Sequence, residues 1–81
     1  MMGTMARFGK VVIRVNGNDH LPPHFHVITP DAEALVTIDP IALHKGHLPA
    51  DVWAMVVAWA VANRPALVAE WTAWNPAFPI V

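Results

Sequence analysis

The sequence has no cysteine, few charges and no apolar run long enough to cross a bilayer. The absence of cysteine among 81 residues excludes disulfides and thiolate metal ligands, and it leaves the redox compartment undecided. The longest apolar run, Val52 to Ala62, is shorter than the roughly 20 residues that a transmembrane helix needs. The formal net charge is −1 with neutral histidines, so net charge gives no independent support for nucleic-acid binding.

What the chain has in abundance is apolar surface. The apolar fraction of 56% is high for a small soluble domain, and 81 residues are near the lower size at which one core suffices. We therefore expect a single domain over residues 1–81. Met1 to Ala6 is too short for a cleavable signal, which predicts a cytoplasmic protein without a membrane partner. The four tryptophans suggest apolar surface left over for a partner or for self-association.

Alternating apolar and polar residues predict an antiparallel sheet of three or four strands. The Asn16-Gly17 pair and the prolines at 22 and 23 predict a loop before the second strand. Thr29-Pro30-Asp31-Ala32 predicts a hairpin turn, and Pro40 ends or bends the strand before it. The predicted strands are Phe8 to Val15, His24 to Thr29, Glu33 to Asp39 and a short piece from Ile41 to His44.

Two helices are predicted after the strands. Pro49 suits the first position of a helix that runs to about Asn63, and Pro65 opens a second helix that ends near Trp74. The first helix is apolar all round, a pattern that predicts cover on more than one side. The order of elements predicts an α+β fold, in which the helices pack on one face of the sheet.

The most unusual stretch is Asn18-Asp19-His20-Leu21-Pro22-Pro23-His24-Phe25-His26. The two prolines predict a stiff elbow, and the alternation after it places both following histidines on the face opposite Phe25. We therefore predict that these imidazoles point outward, away from the core. The predicted outward face comprises Lys10, Arg14, His24, His26 and Thr37, with the His20 loop at its edge.

Several segments together resemble a small bacterial family, the domain-of-unknown-function family numbered four-one-six-zero. The resemblance covers nearly the whole chain. It rests on Arg7-Phe8, Gly9, Val12-Ile13-Arg14, the stretch from Asn18 to Val27, Gly46-His47-Leu48-Pro49 and Trp59.

Members of that family are similar to the toxin halves of two-gene toxin–antitoxin modules, so the resemblance implies growth inhibition through RNA or translation. It also implies a partner, a small cognate antitoxin encoded by the neighbouring gene. The residues to which a function would carry over are Asp19, His20, His24, His26 and Arg14.

Three functional interpretations of these residues remain open. In an acid/base interpretation, His20, His24 or His26 transfers protons while Arg14 or Lys10 stabilises developing charge, as metal-independent RNA cleavage requires. In a binding interpretation, the same face contacts phosphate or an acidic protein, with Asp19, Lys10, Pro22 and Pro23 as binding residues. No cofactor is expected; the alternative is a divalent metal on His20, His24 and His26, with Asp19 as an oxygen ligand and His44 or His47 in a fourth position.

A purely structural interpretation stands beside them. Asp19 would cap its own loop, His20 would bond a strand carbonyl, and the diproline would only shape the turn. The tryptophans are most simply core residues, although one or two would anchor a partner if the chain is an interaction module.

Overall fold

The computed structural model describes residues 3–17, 21–78 and 80. These residues form a five-stranded antiparallel sheet followed by two helices, which confirms the α+β class. The elements are β1 (Gly3–Phe8), β2 (Val11–Val15), β3 (His24–Ile28), β4 (Glu33–Ile38), β5 (Ile41–Gly46), α1 (Ala50–Ala62) and α2 (Arg64–Trp74).

The predicted strand count of three or four is wrong, because β1 lies before the predicted first strand and the turn after β1 falls at the start of that predicted strand. Gly9 and Lys10 form a two-residue turn between Phe8 and Val11, which are paired across β1 and β2. Gly9 has φ of +60°, a conformation that two-residue hairpin loops need and that glycine adopts without a Cβ penalty. Lys10 therefore lies in a turn and not on a strand face.

The remaining strands follow as a meander, with the spatial order β1-β2-β3-β4-β5. The predicted turn after β3 is confirmed, since the amide of Thr29 donates to the carbonyl of Ala32 at 2.8 Å. The peptide bonds before Pro22 and Pro40 are both cis. Cross-strand registers place Arg14 opposite His26 and His26 opposite Leu35.

The core lies between one face of the sheet and the helices, as the alternation predicted. Phe25, Val27, Val36 and Ile38 are fully buried, as are Ile13 and Val15 on β2. From the helices, Val56, Ala60, Leu67 and Trp71 are fully buried in the same cluster. The predicted strand registers are therefore correct, because a shift by one residue would have exposed this set.

The predicted helices are confirmed to within one residue at each end. Asn63 separates them: its amide donates to the carbonyls of Trp59 and Ala60, and its side chain donates to Trp59 at 2.8 Å. These bonds satisfy carbonyls at the end of α1 and let the chain turn by 82° into α2. Within the described ranges, no single helix is long and apolar enough to span a membrane. Helices α1 and α2 together have the length and composition of a span, but they are bent by 82° where they meet.

Candidate functional site

His24 begins β3 and is buried, so the prediction that its imidazole points outward is wrong. The residue is 4% exposed, and its ring lies 5.5 Å from the ring of Trp71. Its Nδ1–H donates to the carbonyl of Pro22 at 2.8 Å. The alternation of β3 assigned the correct side of the strand, but a helix residue covers the imidazole there.

The end of α2 is fixed against the β2–β3 connection, and this explains the burial of His24. The side chain of Asn75 donates to the carbonyls of Asn16 at 2.9 Å and of Trp71 at 3.2 Å. A Cβ atom on Gly17 would lie 3.4 Å from the carbonyl oxygen of Trp74, so the chains approach closely here. This packing places the buried Trp71 beside the start of β3.

His26 is held at both ring nitrogens. Its Nδ1–H donates to Oε2 of Glu33 at 2.9 Å, and its Nε2 accepts from Nδ2 of Asn16 at 3.0 Å. A carboxylate only accepts hydrogen bonds, so these partners define the neutral tautomer with the proton on Nδ1. The side chain of His26 is 12% exposed and that of Glu33 is 55% exposed. The network therefore lies at the surface, but the lone pair that a general base would use is already engaged.

Neither partner of His26 is among the site residues predicted from the sequence. Glu33 pairs with Ile28, two residues along from His26 and on the same face of the hairpin. The predicted hairpin turn at residues 29–32 contained the signal for this contact, because it fixes the register of β3 against β4. Asn16 gave no comparable signal, since its position depends on the loop after β2.

The other predicted site residues lie in different places. Arg14 is half-buried and opposite His26. Lys10 is exposed in the turn before β2, four residues from Arg14 along the chain. The carbonyls of Pro22 and Pro23 accept from His24 and from the amide of Ile38, so the diproline positions β3 and β4. Asp19 and His20 are outside the described residues.

The face of the sheet opposite the core carries an excess of positive charge. We call it the outer face. The cross-strand pairs place Arg7 with Val12, Arg14 with His26 and Lys45 with Leu35 on this face. Among its described residues the only carboxylate is that of Glu33, which bonds His26. The outer face comprises Arg7, Val12, Arg14, His26, Ile28, Glu33, Leu35 and Lys45.

Comparison with known families identifies the chain. The family model "Domain of unknown function (DUF4160)" matches residues 10–72. The chain belongs to the DUF4160 family. No curated protein and no solved structure gives a significant match. The matched part of this DUF4160 domain runs from the β1–β2 turn into α2 and leaves β1 outside, although β1 completes the sheet.

A metal site needs several ligand side chains that lie close enough to share one ion. Over the described ranges, no group of three histidine, aspartate, glutamate or cysteine side chains is placed to share a metal ion. The rings of His24 and His26 are 5.1 Å apart, and each has its Nδ1 fixed by an oxygen acceptor. The predicted three-histidine set stays a prediction, because His20 is outside the described residues.

Proposed function

We propose that this DUF4160 domain is the toxin of a two-gene toxin–antitoxin module and that it binds RNA, alone or within the ribosome, through the outer face. The observation that carries the proposal is the charge of that face. Arg7 and Lys45 are exposed, and Arg14 is the cross-strand neighbour of the His26–Glu33 pair. A phosphate backbone is recognised mainly by arginine, lysine and polar side chains spaced over such a surface.

For His24 and His26, the two described histidines of the motif, the local geometry supports binding over cleavage. Acid/base cleavage needs a histidine with an accessible, available nitrogen. His24 is buried against Trp71, and Nε2 of His26 accepts from Asn16. Catalytic roles for His20, His24, His26 and Arg14 stay predictions, whereas a positioning role for the two imidazoles requires no rearrangement.

The test is controlled expression in a bacterium, with and without the neighbouring gene that would encode the antitoxin. We expect induction of the chain alone to arrest growth and co-expression of the neighbour to restore it. A double variant, Arg7→Ala with Lys45→Ala, should relieve the arrest because it removes two exposed cations from the outer face. Arg64→Ala is the control, since Arg64 lies at the start of α2, bonded to Asp39 at 3.0 Å.

The outcomes separate the parts of the proposal. Unimpeded growth of cells that contain folded, soluble chain would remove the toxin role. Arrest that the double variant leaves unchanged would remove the outer face as the site of action while the toxin role survives.

A second candidate is a metal-binding domain, for which the two Nδ1 bonds are the supporting observation, although a metal on Nε2 of His26 would have to displace Asn16. Histidines that bind a metal commonly donate the other ring N–H to a carbonyl or carboxylate, as His24 does to Pro22 and His26 does to Glu33. Elemental analysis of protein purified without a histidine tag distinguishes the candidates. Stoichiometric zinc would favour the metal site, and loss of that zinc in His26→Ala would assign it.

A further inference from the structure

Helix α1 has an apolar stripe that lies beside its core-facing side and shares Trp53 with the core cluster. Val56 and Ala60 are fully buried against the sheet side. On a different side, apolar residues recur every three or four positions, the spacing that aligns side chains along one helix face. We call this stripe the α1 seam; it comprises Ala50, Trp53, Ala54, Val57 and Val61.

The α1 seam is accessible and uncharged. Val61 is 64% exposed, and both Ala50 and Ala54 are exposed. From Val52 to Asn63 the chain has no charged residue. A helix side that stays in water normally carries charged or polar residues, so the α1 seam has the composition of a contact surface.

One end of the α1 seam borders a groove, and the other end carries the exposed side chain of Val61. The groove has a volume of about 320 Å³ and is lined by Leu43, His47, Leu48, Ala50 and Trp53. The lining is mostly apolar and the groove is open to the surface, so an apolar side chain of a partner can enter it. Val61 lies eight residues after Trp53, or roughly 12 Å further along the helix axis.

We infer that a second copy of this chain occupies the α1 seam, with the two α1 helices antiparallel and Val61 of each copy inserted into the groove of the other. A two-fold interface uses the same patch on both copies, so the patch must contain both the protruding part and its complement. The α1 seam has the groove at its N-terminal end and Val61 at its C-terminal end. An antiparallel pairing therefore brings Val61 of each copy to the groove of the other. Its neutrality also means that two copies meet without repulsion between like charges.

The size of the surface sets the expected strength of association. A standard interface buries roughly 800 Å² on each partner, which would be about one sixth of this chain's 4746 Å². The α1 seam is one helix long, so we expect an interface of at most this size. The dimer should therefore dissociate on dilution. This inference does not depend on the function proposed for the outer face.

Sedimentation velocity over a range of concentrations tests the inference with a matched pair of variants. Ala54→Glu places a carboxylate in the α1 seam, whereas Ala62→Glu makes the same change at an exposed position of α1 outside it. We expect the unmodified chain and Ala62→Glu to dimerise and Ala54→Glu to stay monomeric. Circular dichroism would show whether each variant is folded.

A cross-link provides a second, independent measurement. Because the chain has no cysteine, Val57→Cys near the proposed two-fold axis should give a covalent dimer on oxidation, and Ala62→Cys should not. A chain that is monomeric at all concentrations, equal effects of the two glutamate variants, or a failure of Val57→Cys to cross-link would each overturn the inference. The inference would also be overturned if the chain bound another protein through Ala54 and copies of the chain never associated.

Discussion

At the residue scale, the two histidines of β3 have different environments although they are on the same side of the strand. His24 is covered by Trp71 and bonded to a backbone carbonyl, whereas His26 joins Glu33 and Asn16 near the surface. The first arrangement supports packing at the end of the sheet. The second places a polar network in the middle of the outer face.

We predict that His24→Ala lowers the free energy of unfolding by about 2 to 3 kcal/mol, because it removes a buried ring and leaves the Pro22 carbonyl without this donor. His44→Ala, at an exposed position, should change it by less than about 0.5 kcal/mol. Urea unfolding followed by tryptophan fluorescence measures both values. Equal, small effects would contradict the burial of His24.

A spectroscopic prediction follows from the hydrogen bonds of His26. Because its Nδ1 donates to Glu33 and its Nε2 accepts from Asn16, ¹⁵N NMR should identify the neutral form with the proton on Nδ1. Glu33→Ala should shift the tautomer balance at His26, and the exposed His44 provides a reference in the same spectrum. A proton found mainly on Nε2 of neutral His26 would contradict the network.

At the element scale, the hairpins explain how much of the fold was predictable. Alternation identified the buried faces of β2, β3 and β4, because one face of each packs on the core. It missed β1, which lies before the predicted first strand, and it continued that strand through Gly9 and Lys10, where the chain turns. A two-residue turn leaves almost no break in periodicity, so only the glycine signals it.

The candidate site was harder to predict than the fold. Strand parity placed Arg14 and His26 together correctly, because a cross-strand pair depends only on register. It failed for the exposure of His24, which depends on where α2 ends 47 residues later, near Trp71. Contacts fixed by a distant helix end leave no periodic trace in the sequence.

Two glycines with positive φ, Gly9 in the β1–β2 turn and Gly46 at the end of β5, give a matched test of the sheet. Gly9 and Gly46 both have positive φ, at 60° and 85°, but a Cβ at Gly9 would meet nothing within 4 Å. At Gly46 it would overlap the carbonyl oxygen of Glu33 and come within 2.9 Å of Cα of Ala34. We predict a loss of about 1 kcal/mol for Gly9→Ala from backbone conformation alone, and of about 3 kcal/mol or more for Gly46→Ala.

Thermal or urea unfolding of both glycine variants measures the difference. Gly46→Ala should also disturb His26, because the overlap displaces the backbone of the residue that accepts from its Nδ1. A Gly46→Ala protein as stable as Gly9→Ala would mean that β5 is not paired with β4 at this register.

At the scale of the whole molecule, two surfaces on opposite sides of the sheet have different chemistry. The outer face carries Arg7, Arg14 and Lys45, and the helix side carries the uncharged α1 seam. Because the sheet separates them, a second copy on α1 would leave the outer face open. Association and RNA binding are therefore expected to be independent, so Ala54→Glu should abolish the first without affecting the second.

If the outer face binds RNA as proposed, its charge predicts how that binding depends on salt. When the logarithm of the binding constant is plotted against the logarithm of the salt concentration, each phosphate contact with a single strand contributes a slope of about −0.7. The two exposed cations, Arg7 and Lys45, therefore predict a slope of about −1.4. Lys45→Ala and Arg7→Ala should each reduce its magnitude by about 0.7. Fluorescence anisotropy of a labelled single-stranded RNA, measured over a salt series, gives these slopes.

Arg64→Ala separates local charge from net charge in that experiment. It lowers the formal net charge by the same amount as Lys45→Ala, but Arg64 lies at the start of α2 and pairs with Asp39. If the outer face contacts the phosphates, the slope for Arg64→Ala should equal that of the unmodified chain. Equal reductions for all three variants would mean that RNA responds only to total charge, and the outer face would lose its role as the binding surface.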